Sequence, residues 1–325
     1  MSISEVKYLC LLLIITLHSY SCKQNVDKTT IDILQDTTAI NFETETDSIS
    51  ETPNHYLFSD TVPENLSVRK FYTYIDSLVC KYQQQLYYSI SEHIIVRANP
   101  WIIDSLAALD YYAAKRQNRN ILQQDTFTIL KKGAIIFIPD SILASAINDT
   151  LINTLIDVNL PEFKLRIYEF GKLKRECLVR IGRNEKKYLE LAGREVDLKT
   201  PVGKGKIVRL VRDPYYINPT TGKRYYQTRR DDNVYTKMPV IPWIEPEING
   251  IRYGTLIHPT TNESTLGKAY SSGCVGTKEA DAWYIYYHAP IGTQVIFRYD
   301  LISLSAEGDT IYHEDVYEVN KKKNN

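Results

Sequence analysis

The sequence predicts a mainly β domain over residues 152–300, preceded by a small α+β region over residues 67–148. Three observations carry this. Apolar and polar residues alternate through Ile156-Asp-Val-Asn-Leu160, Lys164-Leu-Arg-Ile-Tyr-Glu169 and Glu176-Cys-Leu-Val-Arg-Ile181, the two-residue period of half-buried strands. Phe170-Gly-Lys172 stands where a hairpin turn belongs, and further strand-like runs recur at 205–211, 254–258 and 292–299. Upstream the period changes to that of helices.

At the N-terminus, Lys7 precedes the apolar run Tyr8-Leu-Cys-Leu-Leu-Leu-Ile-Ile-Thr-Leu17, which has signal-peptide length and is too short to span a bilayer stably. Residues 1–21 therefore read as a signal peptide. The run turns small and polar at Ser19-Tyr20-Ser21 and stops at Cys22, which resembles the cleavage box of bacterial lipoproteins. Acylation at Cys22 would anchor the chain, since each buried CH₂ contributes about 0.8 kcal/mol. Ordinary secretion and a retained anchor are the alternatives. All three place the rest of the chain outside the cytoplasm.

Residues 22–66 then read as a flexible tether, rich in Thr, Asp, Glu, Ser and Asn with no sustained period. Phe71, Ile75, Leu78 and Val79 repeat at helical spacing, as do Ile102, Ile103, Leu106, Leu109 and Tyr112. The region closes on Leu130-Lys-Lys-Gly-Ala-Ile-Ile-Phe-Ile-Pro139. This ending resembles that of a lysin motif (LysM), a small glycan-binding module, although any small domain can close with a glycine turn and a strand. A polar hinge is expected at Asn148-Asp149. Within the β domain one helix is expected directly after Cys274. Thr277 would be its N-cap, Ala280, Trp283, Tyr284 and Tyr287 would share a face, and Pro290 would end it. Residues 301–325 form a C-terminal extension.

The 325 residues are 43% hydrophobic and 24% charged, enough for a core in each region. Basic and acidic residues balance at 39 each, which argues against nucleic acid or an anionic membrane surface as partner. The 25 tyrosines fit either a β-rich core or a surface that contacts polar polymers.

The segment from Ile257 to Val275 carries the chemistry. A thiol at its reference pKa of ~8.5 is only slightly ionised at neutral pH, so a nucleophilic cysteine needs a base. His258 ends a strand sixteen residues before Cys274. Gly273 lets the backbone turn beside the thiol, and its N–H with that of Cys274 could hold an oxyanion. A following helix would add partial positive charge. A structural cysteine and a core histidine are the bland reading of such a pair. A zinc site lacks further ligands at metal spacing.

Several spaced motifs raise the first reading above the second. The segment resembles the signature of the L,D-transpeptidase catalytic domain: a strand ending in Ile-His, a midway glycine, then Ser-His-Gly-Cys. His258, Gly267, Ser271, Gly273 and Cys274 occupy those places. Thr200-Pro-Val-Gly203 is similar to the family's Thr-Pro-x-Gly turn. Val158-Asn-Leu160, Arg166-Ile-Tyr168, Ile181-Gly182 and Gly292-Thr-x-Val295 resemble its strands. Two positions depart from the pattern. Ser272 replaces the family's second histidine, and Gly276 replaces its arginine or asparagine, for which Lys268, Lys278 or Arg252 could compensate.

The resemblance implies a β-sandwich or barrel and a ping-pong acyl transfer without metal or organic cofactor. Cys274 would be the nucleophile and His258 the base, its ring oriented by a backbone carbonyl. Backbone around Ser272 and Gly273 would hold the oxyanion, and Tyr253, Ser271 and Gly276 would contact substrate. The implied partners are peptidoglycan stem peptides, with 3→3 cross-linking in cell-wall biosynthesis and cell shape, and acylation by carbapenems. An L,D-carboxypeptidase and a non-catalytic cell-wall-binding lipoprotein are the alternatives. If His258 is the base, the rate should rise across roughly pH 6 to 8. Cys80 and Cys177 carry no motif and read as core residues or a disulfide.

Overall fold

The structure, a computed structural model, describes residues 55–305 and 307–320. The signal segment, Cys22 and the tether up to residue 54 lie outside the described residues. The tether reading stops short of residue 66, because β1 (Tyr56–Thr61) pairs antiparallel with β2 (Ile135–Pro139). Val62 and Leu66, which looked isolated, are buried anchors.

Between these strands lie α1 (Val68–Gln83), α2 (Glu92–Ala98), α3 (Trp101–Ala107) and α4 (Tyr111–Arg116). On α1 the buried side chains Phe71, Ile75, Leu78 and Tyr82 follow the helical period. Cys80 points off that stripe and is exposed. Cys177 is buried, and both thiols are free, so neither the disulfide nor a core role for Cys80 holds. The apolar spacing through Ile102 and Tyr112 is split between α3 and α4. Asp110 interrupts it by accepting from Ala113 N–H at 2.8 Å and, with its other oxygen, from Ala280 N–H at 3.0 Å. The hinge expected at Asn148-Asp149 lies inside α5 (Ser141–Ile152), which Asp140 caps through Leu143 N–H at 2.8 Å. Asn148 and Asp149 sit off the side of α5 that buries Ala144, Ile147 and Leu151, so their polarity marks a helix surface.

The β domain is built on eight strands: β3 (Thr154–Asn159), β4 (Lys164–Glu169), β5 (Lys172–Leu178), β6 (Gly203–Val211), β7 (Trp243–Ile248), β8 (Ile257–Pro259), β9 (Val275–Thr277) and β10 (Gln294–Arg298). Their order is β9-β8-β7-β6-β10-β3-β4-β5. The β8–β9 and β10–β3 pairs are parallel and the others antiparallel. The sheet nearly closes on itself. Just past β5, Arg180 and Gly276 of β9 exchange both backbone hydrogen bonds at 2.9 Å. Ile156, Val158, Leu165, Ile167, Cys177, Ile207, Ile244, Ile257, Val295 and Phe297 fill the core.

α6 (Glu279–His288) packs against α3 and α2 and is buried almost all round. Its buried polar groups are matched. Arg230 donates to Glu279 at 2.8 Å, Arg175 to Asp281 at 2.7 Å, and Tyr287 to Glu92 of α2 at 2.8 Å. The helical region and the β domain thus share one continuous core. Arg230 also stacks 4.5 Å from the Tyr111 ring of α4, tying residues 227–237 to the helices.

Candidate active site

The parallel register brings the two motif residues together. Ile257, His258 and Pro259 lie opposite Val275, Gly276 and Thr277, and Val275 N–H donates to Leu256 O at 2.9 Å. Cys274 immediately precedes β9, so the register sets it one residue before the Ile257–Val275 pair, at the end of β9 where β8 enters. His258 is thus on β8, and Cys274 directly precedes its neighbour β9.

His258 is oriented by its own strand. Its Nδ1 lies 2.8 Å from Pro259 O. A carbonyl oxygen only accepts, so Nδ1 carries the proton and Nε2 presents a lone pair. The Trp243 ring packs 5.6 Å from the imidazole and is itself backed edge-on by Tyr216 at 5.1 Å. These aromatic walls restrict the ring's rotation.

Cys274 leaves a tight turn. Gly273 has φ +109°, a conformation that disfavours any side chain. The Ser271 hydroxyl closes the turn by donating to Cys274 O at 2.6 Å and accepting from Gly273 N–H at 3.2 Å. Two site expectations change. Gly273 N–H, expected at an oxyanion, donates to Ser271 here, and the hydroxyl of buried Ser271, expected on a substrate, is engaged within the turn. The N–H groups of Ser272 and Cys274 have no partner among the described residues. Behind the turn, the Thr200 hydroxyl donates to Gly273 O at 3.1 Å and accepts from Gly182 N–H at 2.9 Å. Tyr317 of the C-terminal extension accepts from Thr200 N–H at 3.1 Å and donates to Gly182 O at 2.8 Å. Tyr253 stands exposed on the loop before β8.

Cys274 and His258 each keep part of their surface, yet the atoms packed around them make desolvation dominant. Burial pushes the Cys274 thiol up, partly offset by a hydrogen bond from Leu256 N–H and by the charge of Arg180. Burial, reinforced by Arg180, pushes His258 down to about 4 against the pull of Pro259 O. The resting pair is therefore a neutral thiol and a neutral imidazole. The helix that follows Cys274 does not begin at the sulfur. β9 intervenes, α6 starts at Glu279 with Lys278 as N-cap residue, and Asp110 takes its Ala280 N–H. Thr277 belongs to β9, and its hydroxyl donates to Lys278 O at 2.9 Å.

Sequence reading missed Arg180. A Cβ at Gly276 would lie 2.5 Å from Arg180 Nε and 2.6 Å from its Cγ. The arginine stem thus fills the space that a side chain at 276 would need, and Gly276 is buried beneath it. Of the proposed compensating cations, Arg252 is bound to Glu245 at 2.9 Å, and Lys278 lies 3.6 Å from Glu263. The bare glycine was the one available sign that a neighbouring chain crosses there.

Residues 153–297 match the family model of the L,D-transpeptidase catalytic domain (YkuD). Among solved structures, the chain is similar to an L,D-transpeptidase from Mycobacterium smegmatis, with 12% identity and TM-score 0.32 over 45% of this chain and 58% of that one. It is also similar to L,D-transpeptidase 3 from Mycobacterium tuberculosis in complex with a faropenem-derived adduct, with 16% identity and TM-score 0.32 over 45% and 60%. An L,D-transpeptidase fragment from Xylanimonas cellulosilytica is covered in full by 77% of this chain, with 13% identity and TM-score 0.33. The chain spans about three-fifths of the length of the two mycobacterial proteins. No curated protein matches the sequence.

Proposed function

We propose, taking the domain match over 153–297 as premise, that this chain is a cysteine L,D-transpeptidase of the cell envelope. The observation that carries the reading is the hydrogen bond from His258 Nδ1–H to Pro259 O, which leaves Nε2 as an acceptor on the strand paired with the one that Cys274 precedes.

In this reading Nε2 takes the Cys274 thiol proton as sulfur attacks the carbonyl carbon of a peptidoglycan tetrapeptide stem, at the L-D bond. Ser272 and Cys274 N–H groups receive the oxyanion. The C–N bond breaks, His258 returns the proton to the departing D-alanine amine, and a thioester remains. A side-chain amine of a second stem then attacks the thioester. The C–S bond breaks, an amide forms as a 3→3 cross-link, and the thiol is restored. Ser271 and Thr200 hold the turn. Carbapenems, whose strained amide mimics the donor, would acylate the same sulfur. The leader and Cys22 support export and a lipid anchor facing the periplasm. The turn and strand at 133–139 support a glycan contact upstream.

Incubation with a disaccharide-tetrapeptide tests the function. The expected products are cross-linked dimers and free D-alanine by mass. Tripeptide as the sole product would overturn transfer in favour of hydrolysis, and unchanged substrate would overturn catalysis.

A further inference from the structure

The geometry points to Arg180 as the residue that recognises a free carboxylate on the peptide substrate, beside Cys274.

Arg180 is a guanidinium without an anion. Among the described residues no carboxylate lies within ion-pair distance of it. NH1 donates to the neutral Thr265 hydroxyl at 3.3 Å, and the buried Nε has no partner. Other enclosed arginines are treated differently: Arg97 pairs with Glu169, Arg166 with Glu162, Arg175 with Asp281, Arg230 with Glu279 and Arg298 with Asp157. A desolvated charge left unpaired is costly, so a fold that matches these cations and leaves Arg180 open has room for an external anion. The fork geometry of guanidinium suits a carboxylate.

Position defines which carboxylate. The stem crosses Gly276, two residues past the nucleophile, and the groups facing the guanidinium electrostatically are Cys274, His258, Tyr225, Tyr270 and Asp231. In a peptide the α-carboxylate of a terminal residue lies only three covalent bonds from the carbonyl carbon of the bond that joins that residue to the chain. A cation beside the attacking sulfur can hold that carboxylate while the carbonyl is attacked. Arg180 would then restrict acyl transfer to bonds that release a C-terminal residue with a free acid. This rests on the acyl-transfer reading above. It adds a specificity residue supplied by the segment after β5 and not by the strand that follows the cysteine.

The test compares acylation kcat/KM for a donor peptide with a free C-terminal carboxylate against its C-terminal amide, using the wild-type chain, Arg180→Gln and Arg180→Lys. Wild type should favour the acid at least about tenfold. In Arg180→Gln that ratio should fall about 10- to 100-fold, the worth of a charged hydrogen bond, with Lys keeping part of it. Equal wild-type rates on acid and amide would overturn the inference without any variant, as would an unaltered ratio in Arg180→Gln. Absence of a thioester on Cys274 from both wild-type incubations would instead overturn the acyl-transfer reading itself.

Discussion

Arg180 and Gly276 are joined twice, by reciprocal backbone hydrogen bonds and by the arginine stem lying over the glycine. The contact closes the sheet and delivers a cation to the thiol and imidazole in one step. Gly276→Ala should therefore displace the guanidinium and slow acylation, by about tenfold if roughly 1.4 kcal/mol of positioning is lost. Because the clash is with one side chain, its stability penalty should shrink in an Arg180→Ala background. Thermal melts of the four variants give the coupling, expected at about 0.5–3 kcal/mol. Strict additivity would count against the contact.

The acidity of His258 makes a second prediction. Its folded pKa is about 4, below the ordinary histidine value, so the ring stays neutral and competent as pH falls past 6. The acylation rate should hold to roughly pH 5 and decline through about 4. This replaces the rise across pH 6 to 8 that an unperturbed base would give. For stability the sign is the same. The unfolded state binds the proton first, so the contribution of neutral His258 is present above the unfolded pKa and lost as pH falls toward 4. A pH–rate profile with its acid limb near 6.5 would contradict the desolvated ring.

How far the sequence reached is visible in particular residues. Alternation gave β3, β4 and β10 nearly to their ends, because each strand buries one face and exposes the other. The spacing of His258 and Cys274 could not show that β8 and β9 run parallel, since strand pairing is a long-range choice. The helix expected after the sulfur forms as α6 and ends before Pro290, but it starts later than expected, because Val275, Gly276 and Thr277 first pair with β8. Tyr317 and Arg180 carry no local motif. They reach the site from 43 residues after Cys274 and 94 before it, distances across which no periodicity speaks.

Tyr317 shows that the C-terminal extension supports the nucleophile turn. Tyr317→Phe removes the hydroxyl that bridges Thr200 N–H and Gly182 O. The loss should cost about 1–3 kcal/mol, the penalty for leaving buried backbone groups unsatisfied. Urea denaturation measures it, and acylation should slow in parallel. A variant as stable as wild type would remove the extension from the account.

The buried Arg230–Glu279 pair fastens residues 227–237 to α6 and to the helices. Arg230→Met leaves a carboxylate alone in the core and should destabilise the chain by about 3–5 kcal/mol at neutral pH. Burial already pushes Glu279 above its ordinary value, so the penalty should lessen in acid, where the carboxyl is neutral. Equal penalties at pH 5 and pH 8, read by denaturant melts, would contradict the charge argument.

The central claim is that Cys274 is an acylated nucleophile served by His258. Intact mass after incubation with meropenem, followed by peptide mapping, tests it most directly. One covalent adduct on Cys274 is expected in the wild type, none in Cys274→Ala, and slow formation in His258→Ala. An unmodified wild type, or an equal adduct on Cys274→Ala, would contradict it.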